Sequence, residues 1–117
     1  MRTTRQWVES MGNTINVAMG SGYLNCQDWV NMVISIDVTS QMDVSGHSEL
    51  VQGAYQVYRQ GIMIFLDGAA PMTENCTKFL TGQETKGGIG FQQWGTARIK
   101  VDEALSYIDS AIATLSQ

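Results

Sequence analysis

Two cysteines, Cys26 and Cys76, stand fifty positions apart, each in a stretch whose apolar residues recur at helical spacing. A third apolar stretch with the same period lies between them. A bridge between the two would bring the flanking helices side by side and leave the chain few ways to pack. The alternative is a pair of free, buried thiols, and the spacing alone does not choose. A redox-active thiol would want a Cys-x-x-Cys pair or a nearby base, and neither is present. If closed, a loop of about fifty residues restricts the unfolded chain by on the order of 4 kcal/mol in the entropic account.

The periodicity predicts helices over most of the chain. Between residues 4 and 19, Trp7, Met11, Ile15 and Ala18 form one stripe, and Gly20-Ser21-Gly22 predicts its end. Cys26, Trp29, Val30 and Val33 continue the helical period over residues 23–34. Ile34 to Thr39 then alternates apolar and polar, which is a strand signal competing for the same residues. The reading favours a helix to about Ile34 followed by an extended segment.

A hydroxyl and an acid at Ser45–Glu49 predict a helix start. Beyond it Val51, Ala54, Tyr55, Tyr58, Ile62 and Phe65 share a face. Gly53 and Gly61 each cost about 1 kcal/mol against alanine inside a helix, so they are expected to admit a close neighbour. Gly68 suits a C-cap and Pro71 a stop, which places a separate short helix at residues 73–80 carrying Cys76. A glycine-rich connector follows at residues 82–90. Finally Trp94, Val101, Leu105, Ile108, Ile112 and Leu115 fall at near-heptad spacing, interrupted by Arg98, with Ala97, Ala104 and Ala111 alongside. The expected fold is a single all-α domain, a small bundle of four to five helices, stapled by one disulfide if the cysteines pair.

Composition narrows the function classes. Seven basic residues against eleven acidic ones leave a formal charge of −4, and the bases never form a run. That argues against nucleic acid, whose binders need a basic footprint. The longest apolar run, residues 62–66, is far too short to span a membrane. Charged residues make up only 15% of the chain, well below the usual quarter. Gln, Ser, Thr and Asn wet the outer faces instead, a composition common in exported bacterial proteins. Residues 1–10 hold no apolar h-region, so no signal peptide is expected in the chain as written. Two readings follow: a cytoplasmic protein with free thiols, or a mature periplasmic or secreted protein with one bridge. The surface composition tilts toward export.

Sites of chemistry are sparse. His47 is the only histidine, which leaves no zinc set, and no serine lies in a Gly-x-Ser-x-Gly elbow. In the glycine-rich connector Lys86 precedes its glycines and no hydroxyl follows, the wrong order for a phosphate loop. Asp37, Asp43, Asp102 and Glu103 read as solvated charges rather than an acid–base pair. No catalytic residue, metal or cofactor is assigned, and the chain is not expected to be an enzyme. The aromatic residues and seven methionines supply adaptable apolar surface. Met32, Met42, Met63 and Met72, with Lys86, are the candidate partner-binding residues. The partner would be another protein or a second copy in a homodimer.

The segment Cys26-Gln27-Asp28-Trp29, the stretch from Ala54 to Gly61 and the placement of Cys76 near a short helix resemble the HdeA/HdeB-type acid-stress periplasmic proteins. The resemblance covers residues 23–80. It departs in about twenty extra residues before it, a long helix after it and no proline after the second cysteine. The likeness implies one disulfide, an all-helical fold and a non-enzymatic protein that chaperones or neutralises another protein in the periplasm, as small helical immunity proteins do. The alternative is a cytosolic phage- or plasmid-encoded accessory protein that modulates a host complex.

Overall fold

The structure, a computed structural model, describes residues 1–82 and 90–116. Four helices account for nearly all of them: α1 (Arg2–Ser21), α2 (Cys26–Thr39), α3 (Glu49–Leu80) and α4 (Phe91–Leu115). No strand occurs among the described residues. The chain runs up and down in sequence. Cys26 meets Cys76 while Thr39 meets Tyr55, so α2 and α3 are antiparallel. Gly61 faces Ala104 and Gly68 faces Ala97, so α4 returns along α3. Gly12 faces Val101, and Arg5 pairs with Asp109, which sets α1 antiparallel to α4. The result is the four-helix bundle that the all-α reading anticipated.

Local chemistry explains most helix ends. Asn25 accepts from the Asp28 N–H and Ser48 from the Val51 N–H, each capping a free donor of a first turn. Gly22 takes the left-handed conformation (φ 74°) after α1, its N–H returning to the Ala18 carbonyl at 2.8 Å. The Gly90 N–H, before α4, donates to the Gln93 side chain at 3.0 Å.

Two expected boundaries fall elsewhere. Helix α3 passes through Gly68 and Pro71 without ending, so the separate short helix is the last turns of α3. A proline there removes one hydrogen bond and crowds the carbonyl four residues back. That carbonyl belongs to Asp67, which is exposed and open to water, while Ala69, Met72 and Cys76 hold the same stretch in the core. Gly68 is no cap. It is buried, and a Cβ there would lie 2.6 Å from Lys100 Cβ. Helix α2 likewise continues to Thr39, past the expected extended segment.

The core runs the length of the bundle. Val8, Met11 and Ile15 of α1, Trp29 and Ile36 of α2, Tyr58, Ile62, Phe65 and Met72 of α3, and Val101 and Ile108 of α4 are all nearly or fully enclosed. Ala97, Ala104 and Ala111 are buried more deeply than Leu105 and Ile112, so the inward seam of α4 is made of its alanines together with Trp94, Val101 and Ile108. Small residues on both partners let α3 and α4 approach until backbone meets side chain. Gly61 sits in close contact: a Cβ there would lie 3.0 Å from the Ala104 carbonyl oxygen, so the neighbouring helix would have to give. Gly53, expected to play the same part, faces open space. Arg98, which interrupts the heptad pattern, lies across Gly12 of α1 and pairs with Asp102 at 2.9 Å. Among the described residues no buried polar side-chain atom lacks a partner, and Tyr58 donates to Thr4 Oγ1 at 2.8 Å inside the bundle.

Candidate protein-docking surface

Helix α2 is the element on which the surface is built, and it is pinned rather than deeply embedded. Cys26 and Cys76 are bridged, with their Cα atoms 4.9 Å apart, and no free cysteine exists in the chain. One turn on, Trp29 Nε1 donates to Thr73 Oγ1 at 3.0 Å, and its ring meets Trp94 edge-on at 6.1 Å. At the far end, Tyr55 Oη donates to the Thr39 carbonyl (2.8 Å) and accepts from the Met42 N–H (2.7 Å). One phenol thus satisfies the last turn of α2 and the first residues of the link. Between these pins only Trp29, Val33 and Ile36 of the helix are buried.

The alternating stretch from Ile34 to Thr39 now has a physical meaning. A helix turns 100° per residue, so alternate residues cannot share a face. Ile36 points into the core and is fully buried, whereas Ile34 and Val38 are left 55% and 59% exposed. Half-buried Val30, one turn before Ile34, extends the same outward stripe. Val33, adjacent to Ile34 in the chain, lines an open groove of about 600 Å³ between α2 and α3. Leu66, Ala70, Thr73 and Thr77 form the α3 side of that groove, where Glu74 pairs with Lys78 at 3.2 Å. The Thr77 hydroxyl donates to the Thr73 carbonyl and the Thr73 hydroxyl to the Ala69 carbonyl, so both donors are satisfied within α3.

The methionines do not assemble into the expected surface. Met72 is fully buried and fills the core, which corrects its reading as a partner-binding residue. Met32 is half-buried against that core. Met42 and Met63 are exposed, but Met42 lies on the α2–α3 link, whereas Met63 lines a separate hollow with Gln56, Arg59 and Tyr107. Lys86 lies outside the described residues. Ile34 and Val38 were missed as candidates because the alternation that exposes them also mimics a strand.

Charge around the surface is one-sided. Between Arg5 and Arg59 the chain contains neither lysine nor arginine, while Asp28, Asp37, Asp43 and Glu49 fall between the start of α2 and the start of α3. Asp43 accepts from the Ser45 N–H at 2.9 Å, and this backbone hydrogen bond holds its carboxyl below the ordinary range. On the opposite side of the bundle Arg5 bridges Glu9 and Asp109, each at 2.6 Å. His47 is exposed in the turn before α3, with its carbonyl accepting from the Gln52 side chain. Among the described residues no three His, Cys, Asp or Glu side chains are grouped to hold a metal, and no helix is long and apolar enough to cross a membrane. Compared with known protein families, curated proteins and solved structures, the chain matches none of them.

Proposed function

We propose that this chain is a non-enzymatic protein-binding protein of an oxidising compartment, the periplasm or the exterior, and that its α2 face is where the partner sits. The outward pair Ile34 and Val38 beside the α2–α3 groove carries this reading. Exposed apolar side chains scattered singly need no explanation, but an exposed pair on a helix that also walls a mostly apolar groove favours an interaction site. Covering the two side chains is worth about 2–3 kcal/mol together, and filling the groove adds to it. The role is that of a chaperone-like or immunity-type inhibitor protein, in keeping with the likeness to the HdeA/HdeB-type proteins around Cys26 and Cys76.

The bridge favours this reading over a cytosolic accessory protein, because cytosolic reductants keep most such thiols apart. Two measurements test it. Alkylation under denaturing conditions, on protein taken from its producing cell, is expected to find no free thiol; two free thiols would remove the export reading. A photo-crosslinking residue at position 34 is expected to trap a discrete protein adduct in that cell. The same residue at exposed Asn16 of α1 should not. An empty result at position 34 would reject the docking surface.

A further inference from the structure

We infer that the α2 face is shaped and charged for a cationic amphipathic helix of the partner, an inference that rests on the protein-binding reading above. Helix α2 has 14 residues, so at 1.5 Å per residue it presents about 21 Å of length. That is room for a partner helix of about four turns lying along the groove. The floor is apolar, with Val33, Leu66 and Ala70, and Ile34 and Val38 stand exposed on the outer face of the same helix. Such a floor takes the i, i+3, i+4, i+7 anchors of an amphipathic helix.

The charge along α2 and just beyond its end selects the occupant. Asp28 is exposed at the start of α2, Asp37 lies half-buried near its end, and Asp43 and Glu49 are exposed just beyond. No lysine or arginine in residues 6–58 offsets them. Lys78, the cation lining the groove, is already paired with Glu74, and Arg59 lines the separate hollow with Met63. A second copy of this chain would bring the same carboxylates to the same place and be repelled. An anionic lipid surface or a nucleic acid would be repelled for the same reason. Basic residues flanking a partner's apolar stripe meet carboxylates that form no ion pair among the described residues, and this complementarity fixes register and speeds encounter.

Two synthetic peptides of about 18 residues, sharing one leucine stripe but carrying either lysines or glutamates on the polar face, test the inference against the intact, oxidised protein. Amide chemical shifts in NMR report where each peptide binds. The lysine peptide is expected to shift residues of α2 and the adjoining α3 wall, and to bind about tenfold more weakly at high salt than at low salt. The double variant Asp28→Asn/Asp37→Asn should weaken it about threefold to tenfold, and Ile34→Ser/Val38→Ser should abolish binding while leaving the helical circular dichroism unchanged. Equal binding of both peptides at this face would overturn the charge selection and leave the docking surface standing. Binding of neither, while the position-34 crosslinker still traps a partner, would overturn the cationic helix alone. If the crosslinker fails as well, both readings fall.

Discussion

The contact between α3 and α4 and the attachment of α2 represent two ways of holding a helix in a small bundle. Along α3 and α4, Gly61, Gly68, Ala97 and Ala104 remove side-chain bulk so that the helices approach closely over many turns. The attraction there is spread over many close contacts, each small and together large. Helix α2 buries only three residues and is secured at discrete points: a covalent bridge, the Trp29 hydrogen bond and the Tyr55 hydroxyl at its far end. Distributed packing consumes the apolar face that makes it. Point attachment leaves apolar residues free on the outside, and on α2 those are Ile34 and Val38. Helices α3 and α4 also leave Met63, Phe79 and Ile99 exposed, so what sets Ile34 and Val38 apart is that their helix also walls the α2–α3 groove.

Removing the bridge should have the largest effect on this contrast. Cys26→Ala/Cys76→Ala, which opens a fifty-residue loop, is expected to lower stability by about 4 kcal/mol in denaturant unfolding. Hydrogen exchange should place the loss first in α2, with α3 and α4 still protected; equal loss in all three helices would end the distinction. Next comes Gly68→Ala, whose new Cβ meets Lys100 Cβ at 2.6 Å. Neither atom can swing away, so the helices must part, and the net cost after the gain in helix propensity is about 1–2 kcal/mol. Gly53→Ala sharpens the same point in reverse. Its Cβ meets nothing within 4 Å, so unfolding measurements should find the protein about 0.5–1 kcal/mol more stable.

The smallest effect concerns the link after α2. Asp43 titrates below its ordinary range because the Ser45 N–H, and then its hydroxyl, favour the carboxylate. A lowered folded-state value means the turn's contribution is present above the unfolded value and fades as pH falls through the folded one. An NMR titration of the Asp43 carboxyl should find its midpoint below 3.8; a midpoint at or above that value would remove the Ser45 interaction.

Particular residues mark how far the primary structure could be read. The stripe Met11, Ile15 and Ala18 and the face Tyr55, Tyr58, Ile62 and Phe65 are buried as their spacing predicts, because a helical period survives any choice of neighbour. Gly22 ends α1 as its conformational freedom suggests. Pro71 misled, since its cost to a helix is a few kcal/mol and the packing of α3 on both sides outweighs it. Ile34 and Val38 misled in the opposite sense: alternation is a strand signal only if a second strand is present to receive it. Of the proposed surface, Val33 was legible only as part of a helical period and Leu66 only as part of an apolar run, and the groove between them appears only when α2 lies against α3.

By itself, the order of residues determined that the chain is helical, that its helices carry one apolar face each, and that two cysteines were available to join two of them. Helix periodicity and capping act within a few residues, so they are written locally. Tertiary structure alone decided that Cys26 meets Cys76, that Gly61 and Gly68 rather than Gly53 face a neighbour, and that Met72 lies inside while Ile34 and Val38 lie outside. Those outcomes depend on which helices become neighbours and at what rotation, and both are set by the packing of the whole bundle at once.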